Sequence, residues 1–558
     1  MRTLDWIVLG GSLAFIVLYG LYKGRGSNTM NRYLLAGKTM PWYAMALSIM
    51  ATQASAITFI STTGQAYVDG MRFVQFYFGL PLAMVILSAT AVPIFHRANV
   101  YTAYEYLERR FDGRVRGLAS IIFLIQRGLG VGLALYAPAI VLAVIFGWPD
   151  RMTTLIMGAL TVFYTVIGGI QAVTWTDVQQ MLIIFFGLFV SVVMVIVLLP
   201  PDVSAGDALF LAGKMGRLNA VDLTFDLNNR YNLWSGLIGG MFLALSYFGC
   251  DQSQVQRYLT GRSIAQSKLS LLFNAMAKVP MQFFILLVGA LVFVFFIFER
   301  PPVLFQQAAQ ARLNAMPESG AATERFDRAF EQRRTAATAL LEARRAGDAQ
   351  RTAALTGEYR ASQKELDQAR HAAGDLVEKG FNDTNYIFLN FVTHYLPAGI
   401  VGLIIAVIFA AAMSTISAEI NSLATVSVID IYQRHIRREA TDRHYLLVSR
   451  LATLFWGLYA VCFAEFGRNL GSLIEAVNMM GSLFYGSLLG VFVLAFFFPR
   501  VGAAGALWGM LAGEAAIFAA WRLTSISFLW YNVVGCFAVI AVGLMFPARN
   551  RSMTVASQ

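Results

Sequence analysis

The chain has 558 residues, 57% hydrophobic and only 13% charged, with a mean hydropathy of +0.60. This excludes a soluble globule, whose apolar and charged fractions are more evenly matched. The formal charge of +11 would suit a nucleic-acid binder, but with apolar runs recurring throughout, the first question is whether Lys and Arg gather on one side of a membrane.

Thirteen apolar spans are predicted, at about 4–23, 41–63, 74–96, 117–146, 152–168, 175–200, 232–250, 272–298, 388–429, 445–466, 473–498, 503–521 and 527–546. Most are near the roughly 20 residues that cross a hydrocarbon core of about 30 Å. The first has Asp5 ahead of it and no small-residue cleavage pattern behind it, so it reads as a retained helix. Lys23, Arg25, Arg32 and Lys38 follow span one, and Arg97, Arg109, Arg110, Arg114 and Arg116 follow span three. Arg257, Arg262 and Lys268 follow span seven; Arg434, Arg437, Arg438 and Arg443 follow span nine; Arg549 and Arg551 close the chain. That asymmetry predicts a multi-pass plasma-membrane protein with its N-terminus outside and its C-terminus cytoplasmic.

The second span contains MATQASAITFISTTGQ, Met50 to Gln65, dense in hydroxyls and amides. A helix break near Gly64 would free backbone carbonyls, which a membrane interior tolerates only where they line a cavity or bind something. In span four, Arg127 lies about ten residues, or roughly 15 Å, from the helix start, and either snorkels or pairs with an acid. VIGGIQAVTWTDVQQ, Val166 to Gln180, joins spans five and six; its Asp177 is either a helix cap or an ionisable group on an ion pathway. The long soluble segment 300–387 falls outside. Ala321 to Ala346 and Asp348 to Val377 read as two helices around Gly347. Between 301 and 388 there are twelve Lys plus Arg and twelve Asp plus Glu, so the basic excess lies elsewhere and a nucleic-acid arm is disfavoured. The segment is expected to be a solvated hairpin over the outer mouth, with a partner-docking module as the alternative.

Span nine contains AAAMSTISAEINSLATVSVIDIY, in which Ser414, Ser417, Asn421 and Thr425 fall on one helical face. Such residues either pack helices and bond back to the i−4 carbonyl or face a ligand. Carbonyls from a broken helix and hydroxyls from a neighbour form an all-oxygen cage suited to a hard cation, with sodium the natural candidate. Glu419 and Glu475 either face a vestibule or pair with a base. Cys250, Cys462 and Cys536 lack paired or metal-ligand spacing and read as buried filler thiols.

Gly168 to Gln180, GGIQAVTWTDVQQ, resembles the GG..AV..TD..Q signature of the sodium/solute symporter family. DQSQVQRYLTGRS, Asp251 to Ser263, looks like that family's motif after the seventh helix, and AAMSTIS is similar to its sodium-site stretch. The likeness covers about 5–546 without the insertion. It implies an all-α integral membrane protein with a LeuT-like core of two inverted five-helix repeats, spans 2–6 and 7–11, each opening on a discontinuous helix. The implied divisions are 1–40, a first helix and loop; 41–200, the first repeat; 201–231, an external loop; and 232–299, the start of the second repeat. The insertion occupies 300–387, the rest of the second repeat 388–500, and two peripheral helices with a tail 501–558.

By family position, one sodium is held by the carbonyls of Ala51, Ala54 and Ala411 and the hydroxyls of Ser414 and Thr415. A second would use Asp177, Ser414 and Ser417, but Ala418 replaces the last serine of that pattern. The substrate lining would include Gln53, Thr58, Tyr77, Tyr136, Tyr247, Phe248 and Lys278. YAPAI, Tyr136 to Ile140, looks like the iodide, monocarboxylate and multivitamin branch, whereas Lys278 falls where sugar-carrying members keep a lysine. A buried lysine suits an anion; alternatively Lys278, about seven residues inside its span, snorkels to the cytoplasmic interface. The resemblance implies sodium-coupled symport of a small organic solute or anion by alternating access, with no organic cofactor. Its partners are sodium, the solute and the lipid bilayer. A sugar symporter and a transporter-like membrane sensor are the alternatives; no nucleophile–base set suggests an enzyme. A proton-driven variant would need Asp177 to titrate.

Overall fold

The computed structural model describes residues 2–146, 150–464 and 473–547. The tail, with Arg549 and Arg551, lies outside these residues, as does 465–472, which begins inside predicted span ten. Every described element is helical, and among the described residues nine runs are long and apolar enough to cross a membrane.

In chain order, the α-helices are α1 (Thr3–Lys23), α2 (Met30–Leu35), α3 (Trp42–Gln53), α4 (Ala56–Asp69), α5 (Leu80–Ala89), α6 (Ala91–Ala98), α7 (Ala103–Arg110), α8 (Gly113–Phe146) and α9 (Asp150–Val197). They continue with α10 (Ala205–Lys214), α11 (Gly240–Gly249), α12 (Gln252–Leu259), α13 (Ile264–Phe298), α14 (Gln307–Asn314), α15 (Ser319–Arg345), α16 (Ala349–Val377) and α17 (Ile387–Tyr395). The last are α18 (Ile400–Val426), α19 (Asp442–Ala464), α20 (Leu473–Phe497), α21 (Ala503–Leu523) and α22 (Leu529–Leu544).

Two breaks redraw the predicted spans. Predicted spans five and six run through α9, which turns sharply at Gly169; its φ of +56° favours glycine, and a Cβ there would strike the Tyr33 backbone. Predicted span nine is two helices rather than one. α17 stops at Tyr395, Pro397 follows, and Gly399 at φ +88° precedes α18, so proline and a left-handed glycine end the first helix.

The predicted hairpin is α15 and α16, whose ends match the expected 321–346 and 348–377 within two residues, with Gly347 at φ +71° between them. Phe326, Ala329, Phe330, Leu366, Ala369 and Ala373 close its seam. It is fixed to the body by charge. Arg333 is wholly buried, donating to Gln363 Oε1 at 3.0 Å and to the Phe296 carbonyl, while Arg344 and Arg345 reach the Asp207 carboxylate at 3.1 and 2.9 Å. Burial pushes the Asp207 carboxyl up, but hydrogen bonds from Arg345 and Ser204 outweigh it and hold the group below the usual carboxylate range. A depressed folded pKa stabilises above the unfolded value, about 3.9, and that contribution disappears as pH falls through the folded value. The hydrogen-exchange protection factors over 319–345 are therefore expected to stay flat above about pH 4 and to fall below it. Asp207→Ala should show the lower protection already at neutral pH.

Candidate ion and substrate site

The second span breaks at Ala54 and Ser55, not at Gly64. Ala54 leaves the helix at φ −86°, ψ 69°, Ser55 is extended, and α4 restarts at Ala56. Gly64 lies inside α4, where a Cβ would collide with the Thr384 carbonyl oxygen; it serves close packing. A helix end leaves its last four carbonyls without helical donors. Here that of Met50 takes the Ala54 N–H at 2.8 Å, and that of Thr52 accepts the Thr415 hydroxyl at 3.0 Å. Ala51 and Ala54 flank this contact, and Ala411 is buried on α18 one turn before Thr415.

Asp177 is not a cap: it sits inside α9, eight residues beyond Gly169, with no exposure. Ser414 Oγ donates to its Oδ1 at 2.6 Å and Ser48 Oγ to its Oδ2 at 2.5 Å, with Arg257 Nη1 3.9 Å from Oδ2. Ser417 turns to the Ser414 carbonyl at 3.0 Å and Thr425 to that of Asn421 at 2.7 Å. Ser417 therefore back-bonds within its helix, Thr425 back-bonds and also accepts from Gln256 Nε2 of α12 at 3.1 Å, and Ser414 and Thr415 reach across to other helices. Ser48 and Thr52, overlooked in the sequence, carry one faint signal there, hydroxyls one helical turn apart in SIMAT.

Lys278 does not snorkel. α13 begins at Ile264, so the residue is 14 positions in, about 21 Å along the axis. It is entirely buried, its Nζ has no hydrogen-bond partner among the described residues, and it lies 5.7 Å from the Tyr77 ring centre. Tyr247 stacks edge-on with Phe248 at 4.9 Å, and its hydroxyl accepts from Gln254 Nε2 at 2.8 Å. Thr58, Tyr136 and Phe248 are buried, and Gln53, at the end of α3, keeps a buried Oε1 without a partner among the described residues. The structure thus pairs Lys278 with Tyr77 and Tyr247 with Phe248, and puts Gln53 and Thr58 on either side of the break.

A second interruption, at Cys250 and Asp251, separates α11 from α12. Asp251 Oδ1 accepts from the Ser253 N–H at 2.8 Å and its hydroxyl at 2.7 Å. Arg127 does not snorkel either: its guanidinium binds Asp251 Oδ2, Glu419 Oε1 at 2.7 Å and the Tyr485 hydroxyl at 2.7 Å, and lies 5.4 Å from the Tyr247 ring centre. Glu475 pairs with Arg230 at 2.5 Å. Cys250 and Cys536 are buried as expected, but Cys462 is exposed on α19. Arg127→Met strands two buried carboxylates and is expected to cost about 3–5 kcal/mol, read as a lower melting temperature in detergent; the Arg127→Met, Glu419→Met double variant should recover part of it.

The model of the sodium:solute symporter family matches residues 33–314 and 367–513, leaving most of the hairpin outside. A sodium-dependent multivitamin transporter of Oryctolagus cuniculus is 29% identical over 91% of this chain and 69% of its own length. The sodium/sialic acid symporter NanT of Aliivibrio fischeri is 28% identical over 97% and 92%, and the human sodium-coupled monocarboxylate transporter 1 is 28% identical over 92% and 72%. A solved Na+-coupled sialic acid symporter, in a substrate-bound outward-open state, superposes with a TM-score of 0.77 over 98% of this chain and 97% of that one, at 24% identity. The likeness is one of fold.

Proposed function

The chain belongs to the sodium:solute symporter family, and from that premise we propose that it drives a small organic anion into the cell with sodium by alternating access. It is a multi-pass membrane symporter coupling sodium to a small organic solute. The finer reading is a LeuT-like core of spans 2–6 and 7–11, with the hairpin and N-terminus outside and the C-terminus cytoplasmic. In support, the opening helix of each repeat is interrupted, α3 from α4 and α11 from α12, as expected where ions and substrate bind at the midplane.

The observation that carries the ion assignment is the Thr415 hydroxyl meeting the Thr52 carbonyl at the open end of α3. Sodium sits beside it on the carbonyls of Ala51, Ala54 and Ala411 and the hydroxyls of Ser414 and Thr415, an oxygen set that suits a hard cation. A second ion at Asp177, Ser414 and Ser417 is the weaker reading, because Ser417 turns away and residue 418 is alanine. The difference matters energetically: each charge moved inward is worth about 2.3 kcal/mol per 100 mV. Lys278 supports an anionic substrate, since its buried Nζ has no hydrogen-bond partner among the described residues, while Arg127 already has two carboxylates.

The test is uptake of labelled N-acetylneuraminate, lactate, iodide and glucose into proteoliposomes, with inward sodium or potassium gradients. Sodium-dependent accumulation of an organic acid is expected, with a Hill slope near one if a single ion couples. Equal uptake in potassium would sink the sodium assignment, and preference for glucose would sink the anion.

A further inference from the structure

We propose that Asn274 and Gln282, one turn either side of Lys278, are specificity-determining residues of the substrate site, and that the solute carries hydrogen-bonding groups flanking its negative charge. This rests on Lys278 being the counter-charge of that site.

Asn274, Lys278 and Gln282 fall at i, i+4 and i+8 on α13, one face with steps of about 6 Å. All three are completely buried. Asn274 Oδ1, Lys278 Nζ and both amide atoms of Gln282 have no hydrogen-bond partner among the described residues, and Asn274 Nδ2 reaches only Met84 Sδ at 3.9 Å. Buried polar atoms are nearly always paired, and in a membrane interior an unpaired one has no bulk water to fall back on. A single orphan is unremarkable; three in register are a surface waiting for a ligand.

The stripe is local. Towards the outside, the buried residues of α13 from Ile285 to Ile297 are all apolar; towards the cytoplasm, Ser267 and Ser270 are satisfied by the Tyr258 and Ser267 carbonyls. Among the described residues of α13, Gln266 Oε1 near the helix start is the other buried side-chain atom without a partner, three turns from Lys278; the fully buried, unsatisfied stretch is level with Tyr77, and there Pro280 withholds an N–H from the Met276 carbonyl. Lys278 offers donors to an anionic oxygen, Asn274 Oδ1 an acceptor for a hydroxyl or amide N–H, and Gln282 one donor and one acceptor. Such a wall fits a hydroxylated or amide-bearing carboxylate and disfavours a short alkyl acid, which would leave both amides unpaired.

Two measurements on the full chain test this. In a Cys462→Ser background, Asn274→Cys and Gln282→Cys are treated in proteoliposomes with the anionic reagent 2-sulfonatoethyl methanethiosulfonate. Both are expected to react, at rates that sodium alters; inertness of both with and without sodium would overturn the proposal. The near-isosteric Asn274→Leu and Gln282→Met should raise KM for N-acetylneuraminate about tenfold more than KM for lactate, with radioactive sodium binding retained. Equal effects on the two acids, or wild-type uptake of lactate alone, would also overturn it. If neither acid enters with sodium, the anion-symport reading fails, and cysteine labelling still decides whether the stripe lines an aqueous site.

Discussion

Replacing Thr415 by Ala is expected to weaken sodium activation of uptake roughly ten- to a hundredfold, with Thr415→Ser close to wild type. Its hydroxyl spans the gap between α18 and the open end of α3, 3.0 Å from the Thr52 carbonyl. Deleting it leaves that carbonyl without this donor and, at the proposed ion site, takes away one ligand oxygen where the membrane interior offers no bulk water to replace it. Interactions of this kind with a charged partner are worth about 1.5–3 kcal/mol, whereas the methyl group lost in Thr415→Ser contributes about 0.8 kcal/mol of burial. The two variants therefore separate coordination from packing. An ion shifts a conformational equilibrium only by its differential affinity for the two states, so a weakened site also loosens the sodium-dependent link between α3 and α18. The measurement is initial uptake against sodium at fixed substrate. An unchanged half-saturating sodium concentration in Thr415→Ala would remove the residue from the ion site.

The membrane class, the hairpin and the hydroxyl face of α18 could be read from the sequence because each is a local, periodic signal. Alternating charge in the loops, Ala- and Glu-rich repeats around Gly347, and polar residues at helical spacing need no knowledge of what packs against what. The helix break could not be placed this way. Ala54 and Ser55 contain neither glycine nor proline, while Gly64, the obvious breaker, is held inside α4 because Thr384 leaves no room for a Cβ. Tertiary crowding, not backbone freedom, selected that glycine. Depth was misjudged for a related reason. Gln266 and Lys268 depress hydropathy at the start of α13, so its first turns look like loop and Lys278 looks closer to the surface than it is. The partners of Arg127 lie 124 and 292 residues away, beyond any local pattern, and this is why Asp251 had a motif but no role.

Lys278→Met should raise the melting temperature and weaken transport of the anion, a combination that a structural lysine would not give. An ammonium buried with no hydrogen-bond partner among the described residues is a standing cost, because desolvation is not repaid by a counter-charge. Met has similar length and no charge, so its side chain fills the same volume and removes the penalty. The neighbouring Tyr77 ring returns only a part of that cost, as a cation–π contact at 5.7 Å is worth about 0.5–2 kcal/mol. When an anionic substrate arrives, the balance reverses: the pair neutralises, and its charge-assisted hydrogen bond, about 1.5–3 kcal/mol, becomes available only in the loaded state. KM in Lys278→Met is therefore expected to rise roughly ten- to a hundredfold, with sodium binding in the absence of substrate unaltered. For a neutral sugar the lost interaction is an ordinary hydrogen bond of about 1 kcal/mol, and KM rises only about fivefold. Thermal melting, radioactive sodium binding and uptake on the same preparation separate these cases. A Lys278→Met protein that melts lower than wild type would mean that the ammonium has a structural partner, and the anion assignment would fall with it.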